Sequence, residues 1–474
     1  MPIGDNPVLL EVASRSLQYI GRSIATPTPF AIRRGATHII VGENGSGKST
    51  LARILESGWN IGLNRIVGDR RQLAIRSIEF ADIHSLTGCA DSYYQQRFEA
   101  TMSDGIPTIR EIIGDKFPPG RWNELCQKLS ISGILDKRVN CLSSGELRKF
   151  LIINLFAETP DILIVDNPYI GLDTASRGLL NTLLADIAAQ GTAVVLLVCN
   201  TADIPPFAHY LLPMKRMEVL PMMPATPGNI ASLDAIFETK GDLSLMPDVA
   251  LREPIDFETA FALRHCDVKY GSTVILRDVS WTVRAGERWA LLGANGSGKS
   301  TLLSLVYADN PQGYRNDITI FDRRRGTGES IWEIKRRIGY ISPEMHLYFG
   351  GGATALAVVA SGLHDNLGCF RRIDEAMRSL TMQWLEALGI AHLAGRTMST
   401  LSSGEQRLAL IARTLIKNAP LLILDEPLHG LDERQKSLVA AMIAQILSQQ
   451  GRTLVYVTHY EHEIPSLVTR IYRL

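Results

Sequence analysis

The sequence predicts an α/β fold that occurs twice in one chain, each copy with a mainly parallel sheet flanked by helices. The chain has 474 residues, and 46% of them are apolar, which suits two domains of about 200 residues each. The segment Gly42–Thr50 recurs with one difference as Gly293–Thr301, 251 positions later. Short apolar runs lie at equivalent places around both copies. Such self-similarity at a fixed offset indicates a duplicated unit.

The apolar runs predict the strands and helices of each copy. Thr37–Val41 and Arg288–Leu292 lead directly into the glycine-rich segments, and helices begin at Leu51–Leu55 and Leu302–Val306. Near-continuous apolar runs of this length are typical of parallel strands that are covered on both faces. Two further pairs of runs have the same character: Ile162–Val165 with Leu421–Leu424, and Val194–Val198 with Thr453–Val457.

A second repeated motif fixes the extent of the two copies. Leu142–Glu146 and Leu401–Glu405 both read Leu-Ser-Ser-Gly-Glu, 259 positions apart. Between the copies, residues 205–258 contain eight prolines. Because proline lacks a backbone N–H and stops helices, we expect an irregular connector there. The predicted domains are 1–204 and 259–474, with 205–258 as the linker.

Composition argues against several classes of protein. Lys plus Arg and Asp plus Glu both number 49, and this neutral balance disfavours a nucleic-acid partner. The first ten residues do not resemble a signal peptide, and no run of about 18 apolar residues could span a bilayer. The six cysteines form no C-x-x-C pair, so zinc and iron–sulfur sites have no support. We therefore expect a cytoplasmic protein.

The glycine-rich segments follow the pattern G-x-x-x-x-G-K-[ST], which binds nucleotide phosphates. Glycines let successive backbone N–H groups converge on phosphate oxygens, and the helix N-terminus that follows adds partial positive charge. The lysine reaches the β- and γ-phosphates, and the next serine ligates Mg²⁺. The predicted nucleotide-binding residues are Gly42, Glu43, Asn44, Gly45, Ser46, Gly47, Lys48, Ser49, Thr50, Gly293, Ala294, Asn295, Gly296, Ser297, Gly298, Lys299, Ser300 and Thr301.

A carboxylate near Mg²⁺ should follow a neighbouring strand, and Asp166 and Asp425 both end an apolar run. With Ser49 and Ser300 they are the predicted Mg²⁺ ligands. In the second half Glu426 comes next, and a carboxylate there can polarise the attacking water. The first half has Asn167 instead, and an amide is not a useful base at neutral pH. Because general-base catalysis is worth about 10²–10⁴-fold, this one difference could silence a site.

With the phosphate loop, the Leu-Ser-Ser-Gly-Glu motif and Asp-Glu-Pro followed by Gly-Leu-Asp in this order, the chain resembles the ATP-binding-cassette family. The resemblance implies two P-loop NTPase domains in tandem, each with a helical subdomain that carries the signature motif. It also implies that the halves pair head to tail and bind ATP between them. Ser143 and Gly145 of one signature, and Ser402 and Gly404 of the other, would then contact the γ-phosphate held by the opposite loop.

The same resemblance assigns further roles. Tyr270 matches the aromatic residue that stacks on adenine, and Tyr19 falls at the equivalent place, where plain packing is the alternative. His459 matches the switch histidine of the family, whereas the first half has Asn200 there. The family's glutamine, which contacts Mg²⁺ and a transmembrane partner, should fall near the end of Ile338–Glu344, and no glutamine occurs there or in Ile78–Asp82.

Two unequal composite sites are therefore expected, so that the chain is an ATPase with one competent site. Its catalytic residues are Glu426, His459 and Lys299. The competent site combines Lys299, Asp425, Glu426 and His459 with Ser143 and Gly145. The degenerate site combines Lys48, Asp166, Asn167 and Asn200 with Ser402 and Gly404, and it should bind ATP but turn over slowly.

The second half is most similar to the bacterial tandem ATPases known as molybdate-transport or photorepair ATP-binding proteins. The similar stretches are Asn310–Tyr314, Arg323–Gly326 and Leu408–Leu431. This favours an energy-coupling subunit that associates with a transmembrane permease at the inner face of the plasma membrane, for import of an anion such as molybdate. A soluble ATP-driven switch and a nucleotide-gated scaffold are the alternatives.

Two minor features have ordinary interpretations. His459 and His462 are spaced i, i+3, but a zinc site needs further ligands, so a metal there is disfavoured. The basic clusters Arg323–Arg325 and Lys335–Arg337 are interpreted as solvated faces rather than nucleic-acid contacts, given the neutral total charge.

Overall fold

The computed structural model describes most of both halves. The described residues are 6–13, 16–57, 66–67, 73–79, 107–114, 134–138, 150, 160–169, 174–236, 241–247, 250–271, 273–294, 296–343, 345, 349, 352–364, 372–448, 451–458, 461 and 464–474. In this part of the chain no helix is long and apolar enough to cross a membrane.

The first half is built on a parallel sheet with the strand order β7-β8-β9-β5-β10, and every neighbouring pair in this run is parallel. Beyond β10 the sheet continues through β11, β3 and β2, and β12 also pairs with β10. A separate, smaller sheet is antiparallel and has the order β4-β1-β6. The described strands of this half are β1 (Val8–Val12), β2 (Ser16–Tyr19), β3 (Arg22–Ala25), β4 (Phe30–Arg33), β5 (Thr37–Val41), β6 (Ile66–Val67), β7 (Ile75–Glu79), β8 (Ile162–Asp166), β9 (Ala193–Val198), β10 (Tyr210–Lys215), β11 (Glu218–Val219) and β12 (Met223–Pro224).

The second half repeats this arrangement with the parallel order β18-β19-β20-β15-β21. An antiparallel sheet in the order β14-β13-β16-β17 lies beside it. The described strands here are β13 (Thr259–Tyr270), β14 (Thr273–Arg284), β15 (Arg288–Leu292), β16 (Asp317–Ile320), β17 (Arg323–Arg324), β18 (Ile338–Ile341), β19 (Leu421–Asp425), β20 (Thr453–Val457) and β21 (Arg470–Arg473). All six predicted strand runs coincide with strands of the two parallel sheets.

Helices follow the strands as parallel connections require. The described helices are α1 (Lys48–Ser57), α2 (Ile109–Ile113), α3 (Thr174–Ala189), α4 (Pro227–Ser232), α5 (Lys299–Val306), α6 (Ile331–Arg336), α7 (Ala355–Ser361), α8 (Glu375–Ala387), α9 (Ser403–Leu415) and α10 (Glu433–Ser448). The helices that follow the phosphate loops, α1 and α5, contain the predicted helix starts.

The parallel strands are buried on both faces, which explains their near-continuous apolar sequence. In β8, Leu163 and Val165 belong to one hydrophobic cluster, whereas Ile162 and Ile164 belong to another on the opposite face. All residues of β8 and β19 are buried. This alternation of two covered faces is what the period of two in a strand dictates.

The predicted connector contains regular structure. Strand β10 runs parallel to β5 in the sheet of the first half, and β11 and β12 pair with β10. Pro213 is tolerated there because it falls at the last parallel pair, opposite Val41, where the ladder ends. The expectation of an irregular segment is therefore wrong for residues 210–224. The position of the domain boundary stays a prediction.

The later part of the connector lies on the second half. The backbone N–H of Asp242 donates to Ala387 O at 3.1 Å, and the Arg252 guanidinium donates to Leu363 O at 2.8 Å.

Methionines of the connector fill gaps in a hydrophobic core: Met214 is fully buried, and Met217 and Met222 pack against the same cluster.

Candidate nucleotide site between the two halves

The two phosphate loops have nearly the same internal geometry. Lys48 Nζ donates to the carbonyls of Gly42 and Glu43 at 2.6 and 2.9 Å. Lys299 Nζ donates to the equivalent carbonyls of Gly293 and Ala294 at 2.7 and 2.9 Å. Each loop joins the end of β5 or β15 to the start of α1 or α5, so both lysines emerge at a helix N-terminus.

The loops also have the features that a phosphate group requires. Gly47 has φ +104° and Gly298 has φ +98°, a conformation that residues with a side chain rarely adopt. The hydroxyls of Ser46 and Ser297 are buried, with no hydrogen-bond partner among the described residues. A buried hydroxyl without a partner is costly, and phosphate oxygens would satisfy both. The loops therefore fit the nucleotide that the sequence predicts.

The predicted Mg²⁺ ligands of the first half lie together. Ser49 Oγ donates to Asp166 Oδ2 at 2.5 Å, and Asp166 is buried at the end of β8. In the second half Asp425 is buried at the end of β19, the equivalent strand. A serine hydroxyl and a carboxylate are oxygen ligands of the kind that Mg²⁺ prefers.

The residues after these aspartates share one backbone geometry but differ in chemistry. Asn167 has φ +51° and Glu426 has φ +47°, and the N–H of each donates at 2.9 Å to a carbonyl of the adjacent strand. Asn167 Nδ2 then donates to Asp166 Oδ1 at 2.9 Å. The carboxylate of Glu426 instead lies 3.4 Å from His429 Nδ1. Only the second half presents a carboxylate at this position.

A buried arginine holds the turn that carries Glu426. The guanidinium of Arg407, from helix α9, donates to the carbonyls of Asp425, Glu426 and Pro427 at 2.9, 2.5 and 3.1 Å. It also donates to Ser342 O at 2.7 Å, at the end of β18. A rigid planar fork that satisfies four carbonyls stabilises the uncommon left-handed conformation of Glu426. Sequence reasoning missed Arg407.

The first phosphate loop contacts the signature motif of the second half. Ser402 caps helix α9, and Glu405 completes a capping box with it. A Cβ atom on Gly404 would overlap the side-chain amide of Asn44, and a Cβ atom on Gly45 would lie 2.6 Å from Glu405 Oε1. The contact of Gly404 and Glu405 with the opposite loop agrees with the head-to-tail arrangement that the resemblance implies.

Asn44 is the centre of further contacts between the halves. Its Nδ2 donates to Gly430 O at 3.1 Å and to Gln435 Oε1 at 2.7 Å, and its backbone N–H donates to Asp432 Oδ2 at 3.3 Å. Asn200, at the switch position, donates through Nδ2 to Leu431 O at 3.2 Å. The loop Gly430–Asp432 of the second half is thus bound by two asparagines of the first half.

Three more side chains at this interface were not predicted. Arg22 donates to Thr400 O at 3.0 Å, Arg434 lies 4.0 Å from the carboxylate of Glu43, and Gln435 binds Asn44. A comparison of the two copies could have drawn attention to these three side chains, because the other half has different residues at the corresponding positions. Thr273 corresponds to Arg22, Ala294 to Glu43, Ala175 to Arg434 and Ser176 to Gln435.

The predicted adenine-stacking residues lie at the ends of strands next to the phosphate loops. Tyr270 ends β13 and accepts a hydrogen bond from Asn310 Nδ2 at 3.0 Å. Tyr19 ends β2 and packs against the core of the first half. Their contact with a base stays a prediction. Asn295, Ser143, Gly145 and His459 lie outside the described residues.

Cys199 precedes Asn200, and its Sγ lies 3.9 Å from Leu431 O. Burial raises the pKa of this thiol to about 12. Burial therefore favours the neutral thiol over the nucleophilic thiolate.

Two phosphate loops of equal geometry, each with a carboxylate at the end of a nearby strand and one facing the signature helix of the other half, define a tandem P-loop ATPase. The sequence profile of the ABC transporter family matches residues 26–170 and 276–429. The chain belongs to this family of ATP-binding proteins, whose domains bind and hydrolyse ATP with Mg²⁺. The predicted family and fold class are thereby confirmed.

Relatives span nearly the whole chain. It is 35% identical over 457 residues to the ABC transporter ATP-binding protein ModF of Escherichia coli (strain K12), which covers 93% of this chain and 91% of that protein. An uncharacterised ABC transporter ATP-binding protein of Schizosaccharomyces pombe is 26% identical, with 93% and 92% covered.

Solved structures share the fold. The ribosome-bound archaeal Pelota and ABCE1 structure matches with a TM-score of 0.62 and 18% identity, covering 95% of this chain and 74% of that one. The complex of archaeal stalk protein aP1 and ribosome recycling factor aABCE1 matches with a TM-score of 0.55 and 18% identity, covering 97% and 87%. At this identity the likeness concerns the fold alone.

Proposed function

We propose that this tandem ABC protein hydrolyses ATP at one composite site and holds ATP at the other. The observation that carries the proposal is the contrast between Glu426 and Asn167. The two residues occupy the same left-handed turn after the strand that ends in Asp425 or Asp166. Only Glu426 can accept a proton from water, so only the second half has the chemistry of a base.

In the competent site, Glu426 orients a water molecule toward the γ-phosphorus of ATP and accepts its proton as the new P–O bond forms. The bond between the γ-phosphorus and the oxygen that bridges to the β-phosphate breaks, and ADP and phosphate leave. Lys299 and the backbone N–H groups of its loop stabilise the charge on the phosphates. Ser300 and Asp425 would hold Mg²⁺, which when bound neutralises phosphate charge.

The remaining parts of the competent site are proposals from the family resemblance. His459 would act as the switch residue on the γ-phosphate. Ser143 and Gly145 would supply the opposing signature. At the degenerate site Asn167 and Asn200 replace the acid and the switch histidine, so ATP there would be retained longer than it is hydrolysed.

The cellular role that we propose is the energy-coupling subunit of a membrane transporter, with an anion such as molybdate as the substrate class. The support is the relative of 35% identity over most of both chains, whose name is an ABC transporter ATP-binding protein. A soluble ATP-driven switch is the second candidate. It is favoured by one observation: β18 is followed by Ser342, whose carbonyl is bound by Arg407, and not by the glutamine that couples to a permease.

Two measurements test these proposals. Glu426→Gln should lower steady-state ATP hydrolysis about 10²–10⁴-fold while ATP binding is retained. Substantial turnover in this variant would refute the assignment of the base. The same variant, tagged and captured with ATP from its host, should bring down a multi-spanning membrane protein from detergent-solubilised membranes. Ribosomal or DNA-associated partners without a membrane protein would instead support the soluble switch.

A further inference from the structure

We propose that His429 is a positioning residue that holds the carboxylate of Glu426 in its working orientation, and that it ties this carboxylate to the loop Gly430–Asp432 bound by the first half. The inference rests on the proposed role of Glu426 as the base. It adds a second residue to that chemistry and a route by which the degenerate site influences the competent one.

The first support is local geometry. Nδ1 of His429 lies 3.4 Å from Oε2 of Glu426, and the two side chains are only 18% and 15% exposed. The backbone N–H of His429 donates to Glu426 O at 3.1 Å, so one tight turn carries both groups. Polar contacts shielded from water are stronger than exposed ones. Because a glutamate side chain has several rotamers, a partner of this kind restricts the direction of its carboxylate.

The second support is the other end of the same turn. Gly430 follows His429 directly, and its carbonyl accepts from Asn44 Nδ2 at 3.1 Å. The carbonyl of Leu431 accepts from Asn200 Nδ2 at 3.2 Å. The backbone beside His429 is therefore fixed by side chains of the first half. Closure of the halves at the first phosphate loop places the imidazole, and the imidazole places the carboxylate.

The third support comes from the duplication. The positions that correspond to Glu426 and His429 in the first half hold Asn167 and Ile170, whereas Gly-Leu-Asp is present in both halves. The imidazole is thus lost together with the carboxylate and not together with the loop. This is the pattern expected of a residue that serves the acid.

The test compares His429→Ile, which installs the residue of the first half, with His429→Gln, which keeps a side-chain N–H donor. Both are made in the full chain, and kcat and KM for ATP are measured. We expect His429→Ile to lower kcat by at least about tenfold, with KM for ATP little changed. The decrease should be smaller than the roughly 100-fold loss of rate that a 1 Å misplacement can cause. His429→Gln should recover most of this kcat. Ile170→Ala, the matched change in the first half, should leave kcat unchanged.

A parallel measurement on Glu426→Gln distinguishes failure of the role of His429 from failure of the proposed function. If Glu426→Gln abolishes turnover but His429→Ile keeps the original kcat, the role of His429 is refuted and the proposed function stands. If Glu426→Gln keeps turnover, the proposed function fails and this inference fails with it. Equal losses in His429→Ile and His429→Gln, accompanied by a lower unfolding temperature in both, would show that His429 only packs and would overturn the proposal.

Discussion

The turns that follow β8 and β19 differ in their side chains while their backbones are equivalent. Asn167 and Glu426 have φ angles of +51° and +47°, and the backbone N–H of each binds the adjacent strand at 2.9 Å. Asn167 turns its amide back onto Asp166, whereas Glu426 faces His429. Asparagine adopts this conformation more readily than glutamate does. The backbone strain is therefore greater at Glu426, in the half that carries the proposed base. The hydrogen bond from Arg407 to Glu426 O stabilises the strained turn.

The residues around the two phosphate loops also differ between the halves. Around the first phosphate loop, Arg22, Arg434 and Gln435 add contacts between the halves. The corresponding positions around the other loop hold a threonine, an alanine and a serine. The side chains that make these contacts therefore have no identical counterparts around the other loop.

The largest expected difference between the two halves concerns the loop lysines. Lys299→Ala should lower ATP turnover by at least about 100-fold, because it removes a preorganised donor to the reacting phosphate. Lys48→Ala should weaken ATP binding at the first loop and lower turnover by less than Lys299→Ala does, because it acts only through the contact between the halves. Steady-state hydrolysis and binding of a labelled ATP analogue to the purified chain would measure both effects.

The two lysines have nearly identical surroundings, with donor distances that agree within 0.1 Å. Each variant is therefore the control for the other. Equal loss of turnover in the two variants would show that both sites hydrolyse, or that the first must be occupied for the second to act. The first result would remove the proposed division of labour, and the second would make ATP held at the first loop a requirement for turnover.

The sequence predicted six of the parallel strands and both phosphate loops because their signals are local. An apolar run such as Leu421–Leu424 has a strand's pattern in any context, and the loop motif has fixed spacing. It could not predict that Arg407 holds the turn at Glu426, because this contact joins an ordinary helix position to a loop 19 residues away. Contacts such as Asn44 with Gln435 span 391 positions and have no local signature.

The connector shows a different limit. Its prolines predicted irregular structure, yet β10 lies in the sheet of the first half beside β5. A proline is disfavoured in the interior of a strand ladder but tolerated at its end, and Pro213 is at such an end. The equivalence of β10 with β21, which both run parallel to the strand before a phosphate loop, could have indicated this strand.

A smaller effect should follow from crowding the interface at the first loop. Gly404→Ala places a methyl group on the side-chain amide of Asn44, which must then leave Gly430 and Gln435. Two lost hydrogen bonds should weaken the contact between the halves by about 1–3 kcal/mol. A lower unfolding temperature and slower turnover would report this change.

Gly228→Ala is the matched control, because Gly228 is also in the first turn of a helix and a Cβ atom added there would meet no other group within 4 Å. Alanine there should be neutral or slightly stabilising, since it is the better helix former. If both variants behave alike, the contact between Asn44 and the signature helix does not contribute to stability.

The smallest effect is expected for the ion pair between Glu43 and Arg434. The charges are 4.0 Å apart, and the arginine side chain is 34% exposed, so the pair should contribute at most about 1 kcal/mol. Glu43→Arg and Arg434→Glu each place like charges together and should lower the unfolding temperature slightly. The double variant reverses the pair and should restore it, and raising the salt concentration should reduce all three differences through screening. If the double variant is no better than the single ones, the carboxylate of Glu43 acts on something other than Arg434, and the interface at the degenerate site does not depend on this ion pair.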